Sequence, residues 1–350
     1  MSRPANTAVA EKLRKKILSG AFEKTTFLPP ERQLAEEFQV GRAIIRGALR
    51  TLEDEKIIYK VPHRGWRLLK REARRLKRIL LRLSSRMNAE GYEGMGLVAG
   101  ICSGANDIYA EVILSSPPME LDKKELLERY NAGDIQGIIF LEAASDVSIR
   151  QLLDSGIPCV VANLEEDLQL PCVRMDYHAI GAMAGKELLD RGYRNIAVYG
   201  GSLERFIYKE LLAGFREIMD EAGIELDGSR ILCGKDELLQ EKLSALLKAP
   251  AGLRPEAFFT LRDYRAGRLY ESCAQYGLKI PDDVGIISYD DISWPAARRQ
   301  GLSSIREDVY RIGKESVLML QRIYESGTLN VESIALPGVL AERTSLKRLL

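Results

Sequence analysis

Apolar side chains recur every three to four positions through residues 7–19, at Val9, Leu13, Ile17 and Leu18 with basic residues between them, which predicts an amphipathic helix stopped by Gly20. Pro29 and Pro30 lead into a second helical stretch, where Leu34, Ala35 and Phe38 share a face. Gly41 stands where a third helix takes its N-cap, and Ile44, Ile45, Ala48, Leu49 and Leu52 form the apolar stripe of that helix. Residues 56–61 and 66–70 then read as two short strands around a Pro-His-Arg-Gly turn. Three short helices followed by a hairpin make a winged helix-turn-helix.

From Met95 onward the pattern changes. Short apolar runs at 96–101, 111–115, 137–141, 158–162, 195–201, 257–261 and 284–289 alternate with amphipathic stretches such as 178–192 and 209–223. That alternation predicts an α/β fold of parallel sheets flanked by helices. Between the two patterns, residues 70–90 carry Leu76, Ile79, Leu80, Leu83 and Met87 at helical spacing under a basic coat, which predicts a linker helix. The chain is therefore expected to divide into a winged helix-turn-helix head over 1–70, a basic linker over 71–94 and an α/β body over 95–350, with the boundary near Gly91.

Charge sharpens this division. Residues 1–90 hold 22 Lys and Arg against 10 Asp and Glu, a net of +12, and the remainder carries −11, so the overall +1 conceals a basic end on an acidic body. Such an end grips a polyanion, and the third helix would enter the major groove N-terminus first, with Arg42 and Arg46 projecting together. No apolar run approaches the roughly 20 residues of a membrane span, and the N-terminus lacks the apolar core of a secretory signal, so a cytoplasmic protein without membrane partners is expected. Five widely spaced cysteines without a CxxC pair, and two histidines, support neither disulfides nor zinc. No metal or other cofactor is expected.

Residues 28–53, LPPERQLAEEF-x2-GR-x3-R-x-ALRTLE, resemble the DNA-binding domain of the GntR family of bacterial regulators, and the likeness extends from about Thr7 to Leu69. The resemblance implies that Arg32, Arg42 and Arg46 touch DNA and that Arg64 and Gly65 form the wing tip. Two departures stand out: Gly41 replaces the family's usual serine, and the wing reads His63, Arg64, Gly65, Trp66 where the family has G-x-G-T.

The body resembles the effector domain of LacI-family repressors, itself similar to periplasmic sugar-binding proteins, over roughly Met95 to Ser345. The segments that carry the likeness are VRMD at 173–176, LLDRGYRNIAVYGG at 188–201, LLAGFREIMDEAGIELD at 211–227, PEAFFTLRD at 255–263, GLKIPDDVGIISYDDIS at 277–293, LSSIREDVYRIGKES at 302–316 and ALPGVLAERTS at 335–345. A two-lobed periplasmic-binding-protein-like domain is implied, with Asp176 and Asp290 lining the cleft and Arg262 and Asp263 at the position after a C-terminal-lobe strand. The arginine that the family places three residues before the glycine of the AGF segment is Leu211, and the asparagine before Asp263 is Arg262. Arg262 and Arg205 read either as acceptors of an acidic ligand or as partners of Asp263 and Glu204. Only about 35 residues separate the runs at 96–101 and 137–141, so the first lobe is expected to lack one helix, which leaves its dimer interface open.

Catalysis finds little support. Gly94, Gly96 and Gly100 imitate a dinucleotide loop but fall before and inside the expected strand, and Gly200-Gly201 lacks a P-loop lysine. His178, beside Asp176, has no serine or cysteine placed for it to activate. The expected protein is a homodimeric transcription regulator, by preference a repressor of carbohydrate-related genes, that binds double-stranded operator DNA under control of a sugar, sugar acid or sugar phosphate. Alternatives are a body that serves only as a dimerisation platform, and a sugar-binding module whose head grips another polyanion such as RNA.

Overall fold

In the computed structural model the described residues are 5–18, 22, 27–55, 57–62, 64–68, 76–83, 92–115, 123–141, 146–163, 169–234, 236–291, 301–327 and 332–349. Packing divides the chain into two compact units, 1–76 with 321–329 and 77–320 with 330–350.

The first unit holds α1 (Ala5–Leu18), α2 (Glu31–Glu37), α3 (Arg42–Asp54) and the antiparallel hairpin of β1 (Ile58–Val61) and β2 (Gly65–Leu68). Val9, Leu13, Leu34, Ile45, Ala48, Leu49, Leu52 and Ile58 close one core, joined by Trp66 from the hairpin. Pro30 is the N-cap of α2, and Gln39 takes φ 51° in the turn to α3, the left-handed step that lets two helices follow each other closely. Gly65 sits at φ +96° at the hairpin turn, a conformation that favours glycine. Gly20, His63 and Leu69 lie outside the described residues.

The second unit contains two sheets. The first lobe is built from β3 (Arg78–Arg82), α4 (Tyr92–Asp107), β4 (Glu111–Ser115), α5 (Lys123–Ala132), β5 (Gly137–Leu141), α6 (Asp146–Asp154), β6 (Cys159–Ala162) and β7 (Cys172–Met175). The second comprises α7 (Tyr177–Asp190), β8 (Ile196–Gly200), α8 (Phe206–Glu221), β9 (Ile231–Cys233), α9 (Asp236–Lys248), β10 (Ala257–Thr260), α10 (Asp263–Gln275), β11 (Gly285–Asp290) and β12 (Ser303–Arg306). The chain then returns through α11 (Val309–Ser326) to β13 (Ile334–Leu336) in the first sheet, and ends with β14 (Val339–Ala341) in the second. The strand orders are β4-β3-β5-β6-β7-β13 and β9-β8-β10-β11-β12-β14, parallel throughout except for β14. In each sheet the strand order reverses beside the first strand, β3 or β8, and ligands bind such sheets outside the carboxyl ends at that point.

Three sequence expectations fail here for one reason. Residues 78–82 form a central strand, not part of a linker helix: Ile79, Leu80 and Leu81 are all buried, because a parallel strand covered on both faces reads as a continuous apolar run. The run at 96–101, expected as the first strand, is therefore the middle of α4. With that shift of register the first lobe has a full six-stranded sheet, and the expected loss of a helix is corrected.

The glycines that imitated a nucleotide loop have a packing role. On α4, Gly96, Gly100 and Gly104 recur every four residues along one face, and a Cβ on Gly100 would lie 2.0 Å from the Tyr310 carbonyl oxygen of α11. Gly313 of α11 answers them, since a Cβ there would lie 2.3 Å from the Leu97 carbonyl oxygen. The second lobe repeats the device between α7 and α8: a Cβ on Gly181 would meet Leu211 O at 2.0 Å, and one on Gly214 would meet His178 O at 1.9 Å. In each lobe the helix that crosses from the other lobe is thus seated backbone against backbone on the first helix of its host.

Candidate functional site

In the head, α2 and the first turns of α3 present the basic side chains that the sequence singled out. Arg32 is exposed and pairs with Glu36 one turn on at 3.1 Å. Arg32, Gln39, Gly41 and Arg42 line one open groove along the turn between the helices. Arg46 lies a turn beyond Arg42 and donates from Nε to Glu31 Oε2 at 2.8 Å. Arg64 and Gly65 stand exposed at the hairpin tip.

Sequence reasoning missed Glu31. Its carboxylate accepts from Arg46 and, at 3.4 Å, from the indole Nε1 of Trp66, so one acidic group ties α3 to the hairpin. Burial raises this carboxyl, but the bonds from Arg46 and Trp66 and the charges of Arg46 and Lys60 outweigh it and hold it below its ordinary value. Nothing in the local pattern announces a pairing between helices fifteen residues apart.

In the body, the carboxyl ends of β6, β7, β8, β10 and β11 gather the polar residues. Asp176 follows β7 as the N-cap of α7, its Oδ1 accepting from the Ala179 amide at 3.0 Å. Asp290 ends β11 and pairs with Arg262 Nη1 at 2.9 Å, the two side chains being 3% and 12% exposed. Arg262 thus meets Asp290, where the sequence had offered Asp263 or a ligand. Asp263 is buried and accepts from Ser304 Oγ at 2.7 Å, while Ser304 Oγ accepts from the Asp291 amide at 3.0 Å. The proposed four-residue set is accordingly split: Asp290 and Arg262 are in contact, Asp176 caps a helix, and Asp263 is drawn under the sheet.

Asp290 and Asp291 take φ values of 120° and 52°, two successive strained residues at the end of one strand. Asp291 is held by Arg343 Nη2 at 2.6 Å and Arg306 Nε at 3.3 Å. Aromatic rings floor this corner. Tyr177 meets Phe206 and Tyr289 edge to face at 6.4 and 6.2 Å, Arg262 lies over the Tyr289 ring, and Arg174 of the first lobe lies 4.7 Å from the Phe206 centroid.

Among the buried polar atoms without a hydrogen-bond partner in the described residues are Asn163 Oδ1, just after β6 at φ 60°, and the Tyr289 hydroxyl, near the end of β11. Leaving such groups unsatisfied is costly, and both of these stand at strand carboxyl ends, where ligands bind in sheets of this kind. Leu211 of α8 is fully buried, its side chain offers the cleft no polar atom, and its carbonyl faces Gly181 of α7. His178 pairs with Glu217 at 3.1 Å on the exposed side of those helices. Among the described residues, no three His, Cys, Asp or Glu side chains are grouped to hold a metal ion, and no helix is long and apolar enough to cross a membrane.

Comparison with known proteins follows this division. Residues 5–68 match the family described as bacterial regulatory proteins, gntR family, and residues 186–346 match the periplasmic binding protein-like domain. Catabolite control protein A of Priestia megaterium is 28% identical over 258 residues, 71% of this chain and 77% of that protein. The protein of the same name from Staphylococcus aureus (strain Mu50) is 24% identical over 241 residues, 68% and 73% of the two chains. Among solved structures, a LacI-family regulatory protein from Chloroflexus aggregans superposes with a TM-score of 0.66 at 22% identity, covering 77% of this chain and 98% of its own. A CelR–cellobiose complex gives 0.61 at 21% identity over 91% and 100%. The lac repressor dimer bound to operator gives 0.60 at 18% over 78% and 94%.

Proposed function

We propose that the chain is a transcription regulator whose gntR-family head binds DNA and whose periplasmic-binding-protein-like body holds a small ligand that controls repression of carbohydrate-related genes. The observation that carries the reading is the exposed basic face of the head, where Arg32, Arg42 and Arg46 lie on consecutive turns of α2 and α3 beside a hairpin tipped by Arg64 and Gly65. Arginine pairs bidentately with guanine in the major groove, and the hairpin tip reaches the neighbouring backbone or minor groove. The relatives' assembly supports a homodimer on a palindromic operator. Their ligands support a sugar-like effector.

The effector reading is supported by Asn163 and Tyr289, whose polar atoms await a partner at the carboxyl ends of both sheets. Asp176, Asp290 and Arg262 complete the set that would surround a ligand bearing hydroxyls. Closure of the lobes over it would bias the heads' spacing, a coupling of typically about 1–3 kcal/mol. A second reading, of the body as a dimerisation platform alone, draws on the Arg262–Asp290 pair, which already satisfies the aspartate expected to take sugar hydroxyls.

Footprinting on a candidate operator, followed by titration of that operator against a panel of sugars and their derivatives, tests both. Two protected half-sites about one helical turn apart, with affinity moved by a ligand, support the regulator. Protection without any ligand response supports the platform, and binding to RNA in preference to duplex DNA sinks the reading of the head.

A further inference from the structure

The corner where β8, β10 and β11 end is unusual in charge. The helices that follow β8 and β10 begin with arginine N-caps, Arg205 for α8 and Arg262 for α10, and neither side chain caps its own helix. Helix N-termini carry partial positive charge, so a cation there is opposed by the dipole, whereas an anion is favoured. Both side chains lie over aromatic rings: the exposed Arg205 is 5.3 Å from the Tyr208 ring centroid, and the mostly covered Arg262 is 5.6 Å from that of Tyr289. Burial raises the Tyr208 hydroxyl above its ordinary value, and the charges of Arg262 and Arg205 each oppose that rise. Arg174 approaches from the first lobe over Phe206, the first residue of α8, with no carboxylate within ion-pair distance among the described residues.

Independent of charge, the unpartnered and fully buried Tyr289 hydroxyl belongs to this cluster, its ring lying under Arg262 and edge-on to Tyr177. A neutral sugar arriving here finds Asp290 already engaged by Arg262. A ligand carrying a carboxylate or phosphate as well as hydroxyls fits better: its anion takes the guanidinium, which releases Asp290 to accept hydroxyl protons.

We propose that the ligand is an anionic polyol, a sugar acid or sugar phosphate, whose charged group is held by Arg262 and Arg205 at the N-termini of α8 and α10, with Arg174 facing it from the first lobe. This inference rests on the effector-sensor reading above and specifies the chemistry of the same cleft.

Isothermal titration of the full-length protein with gluconate, galacturonate, glucose 6-phosphate and ribose 5-phosphate, each beside glucose, galactose or ribose, tests it. At least one acid is expected to bind thirtyfold or more tightly than its neutral counterpart, and to shift operator affinity; the carboxylate and phosphate arms tell the two sources of the anion apart. Arg205→Gln should weaken that acid at least tenfold while leaving the melting temperature within a few degrees. Because Arg262→Gln alone strands Asp290, the double variant Arg262→Gln/Asp290→Asn serves for the second arginine, with the same loss expected. A neutral sugar that binds more tightly than its acid overturns the anionic assignment and leaves the effector sensor standing. Operator affinity that stays constant across charged and neutral compounds alike overturns the sensor reading, and this one with it.

Discussion

Replacing Arg262 by glutamine removes one half of a buried ion pair and leaves the other in place. Asp290 is 3% exposed in its side chain, and Arg262, 12% exposed, donates to it at 2.9 Å. Breaking a buried pair from one side typically costs about 3–5 kcal/mol, because the remaining charge loses its partner without regaining water. The small exposure of Arg262 lets some water follow the shorter side chain, so the lower end, about 3 kcal/mol, is the expected loss. Asp290 also sits at φ 120°, a conformation that persists only where its surroundings hold it, so no compensating gain is expected from the backbone. For a body of this size about 3 kcal/mol corresponds to a fall of roughly 6–12 °C in melting temperature.

The double variant Arg262→Gln/Asp290→Asn separates charge from shape. With both charges gone the loss should shrink to about 1 kcal/mol, so that adding Asp290→Asn to Arg262→Gln restores about 2 kcal/mol. pH supplies a second handle on the single variant. A buried carboxylate without its arginine binds protons more readily than in the unfolded chain, so its favourable contribution is present at low pH and disappears as pH rises through its folded value. The gap between wild type and Arg262→Gln is therefore widest near pH 7.5 and narrows toward pH 5, whereas the double variant shows no such change. Scanning calorimetry of the full-length proteins at both pH values measures all of this. A single variant that melts within 1 °C of wild type, or a double variant no more stable than the single one, refutes the reasoning.

Gly181→Ala and Gly214→Ala should each destabilise the body by about 2 kcal/mol or more in urea unfolding, since their added methyls fall 2.0 and 1.9 Å from facing carbonyl oxygens; Gly228→Ala, with nothing within 4 Å, should stay within 0.5 kcal/mol. Alanine at Arg42 or Arg46 should weaken operator binding by about 1–3 kcal/mol per site in fluorescence anisotropy without altering ligand titrations of the body, and unchanged affinity would remove that residue from the interface. At pH 8 a thiol reagent should label Cys102, which is exposed, well before the others: burial raises Cys159 and Cys172 and pushes Cys233 and Cys273 up to about 12. Rapid labelling that survives Cys102→Ser would contradict the burial of the remaining thiols.

Most of the head was legible because its signals are local. The apolar stripe of α3, the proline before α2 and the glycine of the hairpin each act over a few residues, and they placed Arg32, Arg42, Arg46, Arg64 and Gly65 where the fold puts them. Glu31 was not legible. Its value lies in reaching Arg46 and Trp66, which belong to elements far along the chain, and an ordinary first-turn glutamate reads the same whether or not they are there. The same holds in the cleft: the identities of Asp290 and Arg262 were visible, but their mutual pairing depends on the strand order that sets β10 beside β11.

The glycines of α4 show why a motif needs its structural setting. A phosphate loop uses glycine for turns and for close approach of backbone to ligand, so it must lie between a strand and a helix. A helix that must approach another backbone to backbone also uses glycine, but at intervals of four along one face. Gly96, Gly100 and Gly104 obey the second spacing, and Gly313 on α11 completes it. Read that way, the apolar run they interrupt cannot be the first strand, and the only apolar run left for that role is the one at residues 79–81. Placing β3 there restores the full sheet of the first lobe, whose carboxyl edge includes Asn163 and the end of β7 with Arg174. The glycine spacing, correctly assigned, thus bears directly on the ligand site: a substitution such as Gly100→Val should disturb the seat of α11, one of the crossings between lobes, and weaken ligand response while leaving the head's intrinsic affinity for DNA intact. Operator titration with and without ligand measures this, and a variant that folds and keeps full ligand response would show that the α4–α11 contact takes no part in the coupling.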